Sequence, residues 1–124
     1  MTRKLVAALA AAAIGLTLVG AALAHSSSTP KLKGTVGPGF SISLTKSGQK
    51  VKTLKAGTYL FVISDKASIH NFVIEQEKGG TFEKALTAVS FVGTKSAKIK
   101  LRAGKWKYYC KPHESSMFGF FTVK

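Results

Sequence analysis

The sequence predicts an all-β domain built as a two-layer sandwich, on three observations. Short apolar runs rich in Val, Ile, Phe, Tyr and Thr recur between turns of Gly, Ser and Lys, the pattern of strands rather than helices. Several runs alternate polar and apolar residues, as at Phe40, Ile42 and Leu44, which suits sheets with one wet face. Two stretches, LKAGTYLF from Leu54 and LRAGKWKY from Leu101, set Ala-Gly before an aromatic run and read as equivalent corners of the two layers. Nothing else recurs at a fixed period, so a repeat array is excluded.

The chain opens with a basic head at Arg3 and Lys4, an apolar run from Leu5 to Ala24, and a Ser/Thr/Pro tail. That order predicts a secretory signal over residues 1–24, with Ala22 and Ala24 before the cut and His25 first in the mature chain. An uncleaved membrane anchor is the alternative, since ~20 apolar residues span a bilayer. A lipid-modified terminus is excluded, because the only cysteine is Cys110. Residues 25–31 read as a flexible linker and 32–124 as one domain, at roughly 100 residues enough for a single core.

Within the domain the expected strands are Leu32–Val36, Phe40–Thr45, Thr58–Ser64, His70–Glu75, Ala97–Leu101, Lys105–Cys110 and Phe118–Val123. Between Gly79 and Gly93 the residues Phe82, Leu86 and Val89 sit at helical spacing while Val89 to Val92 suit a strand, so at most one short peripheral helix is expected. Alternation along Lys105–Cys110 turns Trp106, Tyr108 and Cys110 inward and Lys105 and Lys107 outward. The same rule puts His70, Phe72 and Ile74 on one inward face.

Charge and cysteine usage narrow the function. Loss of Arg3 and Lys4 takes the formal charge from +14 to +12, which favours anionic partners: acidic proteins, a polyanionic wall or lipid head groups. Nucleic acid is not expected, because the lysines are scattered as singlets without a recognition motif. A lone Cys forms no disulfide within the chain, so Cys110 is buried, reactive, paired between chains or bound to a metal.

The stretch YYCKPHESSM, Tyr108 to Met117, decides among these. His113 lies on the polar turn after Cys110 and Met117 at its end, and His70 reaches the same end of the sheet from a distant part of the chain. Taken singly, a buried His is more often a hydrogen-bonded core residue, a lone Cys a small hydrophobe and a lone Met ordinary packing. Together, one thiolate, two imidazoles and a thioether are the donor set of a blue-copper site, trigonal His2Cys with a long axial Met. Structural zinc prefers four strong ligands, and non-haem iron prefers carboxylates, of which only Glu114 is near. A cysteine protease would need His113 as base and an oxyanion site, and no such signature is present.

With IHNFVIE around His70 and YYCKPHESSMFGFFTV from Tyr108, supported by LKAGTYLFVISDK and LRAGKWKYYC, the sequence resembles the cupredoxin family, closest in pattern to plastocyanin-like blue-copper proteins. The resemblance covers the chain from about Leu32 onward. It implies a two-sheet Greek-key sandwich with one copper ion near one end, held by His70, Cys110 and His113, with Met117 axial. Asn71, after the first His ligand, is implied to tie the two ligand loops together. The plastocyanin pattern usually has four residues between the loop His and Met, whereas here Glu114, Ser115 and Ser116 make three.

The function expected is that of an exported, monomeric, non-catalytic electron carrier that docks transiently on acidic redox partners through its lysines, with membrane-surface association a further expectation. Copper storage or delivery is the alternative, although no extra Met- or His-rich tract supports trafficking. Trp106, Tyr108, Phe118 and Phe120 are expected to keep water off the metal. Pro112 removes one N–H near the sulfur and stiffens the turn holding His113, which is the expected solvent-facing ligand. A third arrangement, copper chelated by the amine and imidazole of a terminal His25, remains open at this point.

Overall fold

The computed structural model describes residues 12–15, 20 and 27–124. Most of the expected signal segment, its cut after Ala24 and His25 lie outside the described residues. Ten strands follow: β1 (Lys31–Val36), β2 (Ile42–Lys46), β3 (Gln49–Lys50), β4 (Thr53–Leu54), β5 (Gly57–Asp65), β6 (Val73–Lys78), β7 (Glu83–Ala85), β8 (Gly93–Leu101), β9 (Gly104–Tyr109) and β10 (Phe118–Val123). They form two five-stranded sheets, ordered β3-β2-β1-β5-β8 and β4-β10-β9-β6-β7. Among the described residues the helical content is a single 3-10 turn, Lys111–His113.

Alternation drives the layering. In β5 the residues Tyr59, Phe61 and Ile63 are buried on one face, and in β9 Trp106 and Tyr108 are, so the two sheets close face to face over one apolar core. Among the described residues, every member of the core cluster lies between Leu32 and Val123. Each fully buried Leu, Ile or Phe contributes about 1.5–3 kcal/mol.

The two Ala-Gly corners match in detail. Tyr59, two residues after Gly57, donates its hydroxyl to the carbonyl of Lys55 at 2.8 Å. Trp106, two residues after Gly104, donates its indole N–H to the carbonyl of Arg102 at 2.9 Å. Gly104 has φ 147°, and a Cβ there would run into the carbonyl of Lys78, so only glycine fits.

Four expectations are corrected. The second strand begins at Ile42 instead of Phe40, which stands in the preceding loop at 65% exposure. The expected His70–Glu75 strand begins only at Val73, because the backbone before it bonds sideways: His70 N–H to the Ala67 carbonyl and Phe72 N–H to the Thr87 hydroxyl. Between Gly79 and Gly93 there is neither a helix nor a Val89–Val92 strand; the chain supplies the short edge strand β7. Phe118 and Phe120 do not cover the metal end: the β9–β10 register pairs Gly119 with Tyr108 and Phe121 with Trp106, so Phe121 turns inward and the other two are 46% and 42% exposed. Against Gly119, the ring of Tyr108 occupies the space where a Cβ would stand.

Candidate metal centre

Cys110 follows directly on β9, and the seven residues after it return to β10 as a closed loop. The His113 N–H donates to the Cys110 carbonyl at 3.1 Å, the Met117 N–H to the His113 carbonyl at 2.9 Å, and the Cys110 N–H to the Met117 carbonyl at 3.0 Å. Pro112 sits in the first turn of the 3-10 segment between them, where its fixed φ suits the conformation and its missing N–H costs nothing. His70 arrives from the β5–β6 connection. The side-chain carbonyl of buried Asn71 accepts the Lys111 N–H at 2.8 Å, so the residue after one His grips the residue after the Cys.

This clamp brings three donors to one point. Nδ1 of His70 stands 3.1 Å from Nδ1 of His113. Sγ of Cys110 is 3.7 Å from the first and 3.6 Å from the second. A point equidistant from all three lies about 2 Å from each, near the metal–imidazole bond length of ~2.0–2.1 Å. His70 and Cys110 are fully buried and His113 partly so, so one imidazole edge meets solvent. Met117 is 1% exposed in the same core cluster as Cys110, its backbone held to both Cys110 and His113.

The donor chemistry fits copper: two imidazoles and one thiolate make the soft trigonal set, with no carboxylate among them. The acid closest along the chain is committed elsewhere, since Glu114 is ion-paired to Lys107 at 2.7 Å and that contact raises the lysine's pKa. Nδ1 faces the site in both rings, so a bound metal would direct the proton to Nε2. Nε2 of His70 is buried without a hydrogen-bond partner.

The surroundings include parts that residue patterns did not reveal. The ring of Phe40 meets His70 and His113 edge-on, at centroid distances of 5.4 Å and 4.9 Å. Its only signal in the sequence is an aromatic residue stranded in the turn GPGF. Beneath the site, Phe72 stacks on Tyr108 at 5.8 Å, Tyr108 leans on Phe121, and Phe121 stacks on Trp106. Thr87, buried, holds the backbone of Phe72 through its hydroxyl.

Comparison with known proteins agrees with this chemistry. Residues 44–124 match the model of the copper-binding proteins of the plastocyanin/azurin family. No curated protein sequence matches. Among solved structures, a copper protein, rusticyanin, superposes with a TM-score of 0.58 at 22% identity, over 80% of each chain. A structure of reduced rusticyanin gives 0.58 at 23% identity, over 81% of this chain and 82% of that one. Two sheets meeting over one core, the donor triangle at their end and the match across that region lead to one conclusion: the chain belongs to the plastocyanin/azurin family of copper-binding proteins.

Proposed function

We propose that the protein is an exported blue-copper electron carrier, non-catalytic and monomeric, with residues 1–24 as its signal and 25–31 as a linker to the copper domain. The observation that carries the reading is the donor triangle of His70, Cys110 and His113. Bound copper would supply a one-electron Cu(I)/Cu(II) couple. The Cys110 thiolate and the two Nδ1 atoms would hold the ion, and the Met117 thioether would add a weak further donor. His113 is the doorway for the electron, because it is the ligand with an exposed edge. Around it Phe40 and Ile69 are exposed apolar residues, and Lys66 and Lys111 are exposed cations. This mix suits a transient, acidic redox partner. Among the described residues no helix is long and apolar enough to cross a membrane.

Titration with Cu(II), followed by visible absorption, tests the assignment. The expected result is saturation at one equivalent with an intense thiolate-to-copper band at roughly 600 nm. Cys110→Ser should lose the band, since a hydroxyl is a poor soft ligand and stays un-ionised. His70→Ala should lose tight binding with the far-UV circular dichroism unchanged. A colourless complex selective for Cu(I) would replace the carrier by a copper-delivery protein, and a band that survives in Cys110→Ser would remove that residue from the centre.

A further inference from the structure

Strand ends divide the sandwich into two poles. Val36, Asp65, Tyr109 and Phe118 lie toward the metal centre, while Lys31, Lys46, Gly57, Leu101, Gly104 and Val123 lie at the opposite end. That far end is densely cationic. Between β2 and β5 the chain runs TKSGQKVKTLKAGTY, and Lys46, Lys50, Lys52 and Lys55 line an open cleft of about 520 Å³ with Val51 and Tyr59. All four lysines are exposed. Lys31, Arg102, Lys105 and Lys124 reach the same end from β1, β8, β9 and β10, also exposed. No Asp or Glu precedes Asp65 anywhere in the sequence, so the cleft has no acid of its own segment to neutralise it.

The chain also enters the fold here. The carbonyl of Pro30, immediately before β1, accepts the Leu60 N–H, and the apolar run that ends at Ala24 lies only a few residues upstream.

We propose that the basic pole docks on the phosphate head groups of an anionic lipid bilayer, which leaves the metal centre on the side facing away. Attraction to such a surface decays within a Debye length, ~8 Å at physiological salt, so only lysines at the contacting pole contribute. Each is worth roughly fivefold in binding. Once a leader is removed, several such charges hold the domain reversibly, and the apolar run adds a second signal as long as it is attached. The surface shares no residue with the metal centre, so the inference stands or falls independently of copper.

Co-sedimentation of residues 27–124, which carry both sheets and every member of the core cluster among the described residues, tests it against vesicles of phosphatidylcholine alone or mixed with phosphatidylglycerol. Binding only to the mixed vesicles, weakening with salt, is the expected result. Lys46→Gln/Lys50→Gln/Lys52→Gln/Lys55→Gln should bind on the order of several hundredfold more weakly. The matched variant Lys66→Gln/Lys84→Gln/Lys95→Gln/Lys111→Gln, with the same loss of charge on the rest of the surface, should stay within severalfold of wild type. Equal losses in the two variants would reduce the effect to net charge and overturn the proposal. So would equal binding to neutral vesicles, or retention by soluble polyphosphate but not by vesicles, which would make the cleft a polymer site. Far-UV circular dichroism of both variants separates lost binding from lost folding.

Discussion

Met117, expected as the axial donor, is where a single side chain would set the character of the centre. With three residues between it and His113, its N–H still closes on the His113 carbonyl and its carbonyl on the Cys110 N–H, so the shortened loop is a complete hydrogen-bonded turn. Axial ligation through the thioether predicts that Met117→Leu stays folded and coloured while its reduction potential rises, because losing a sulfur donor destabilises Cu(II) more than Cu(I). Leu is close to Met in volume, so the packing cost is under ~1.5 kcal/mol. Midpoint potentials of the two proteins check this, and equal values would make Met117 a core residue only. The donor types in YYCKPHESSM could be read from the residues because metal chemistry restricts them sharply. Phe40 could not, since its contact with both imidazoles depends on how the GPGF turn folds over a loop thirty residues away.

At the scale of strands, the corners at Gly57 and Gly104 are the clearest case of sequence similarity becoming structural similarity. In each, a buried aromatic side chain reaches back four residues to a turn carbonyl. Tyr59→Phe keeps the ring and removes that bond, so unfolding in urea should show a loss of about 1 kcal/mol, the usual net worth of such a hydrogen bond. Trp106→Phe should lose more, because a smaller ring also leaves space in the stack with Phe121. If Tyr59→Phe costs nothing, the shared corner is coincidental. Long alternating strands such as β5 and β9 were readable because one face must be buried. The two-residue strands β3 and β4 and the exposed β7 carry no such pattern and exist only through pairing with neighbours. The run FGFF has aromatics at both parities, so periodicity does not select its inner face; the length of the metal loop does.

Across the whole molecule the charges are segregated. Glu75, Glu77 and Glu83 gather on β6 and β7 against the basic remainder, and Glu75 pairs directly with Glu83 across the strands. Partial burial first, then a hydrogen bond that the protonated Glu75 carboxyl donates to Glu77 and the negative charges of Glu77 and Glu83, raise the Glu75 carboxyl from its ordinary 4.5 to about 7, with Lys107 partly offsetting them. The folded protein therefore keeps a proton that the unfolded chain has already lost between those two values. This contribution to stability is complete below about pH 4.5 and disappears as the pH rises through about 7. Thermal melts at about pH 5 and pH 8 should show that fall in the wild type and a smaller one in Glu75→Gln; the same fall in both would assign it to other groups. The topology has one more consequence, for the order of assembly. The strand that completes the inner face of the second sheet, β10, is the last of the ten in chain order, and it inserts between β4 and β9. Three of the four expected ligands precede it by only a few residues. The core therefore stays open until β10 has been made, and sandwiches of this kind then close in milliseconds to seconds. Until β10 has been made, the nascent chain lacks its keystone and needs no unfolding to pass through a pore.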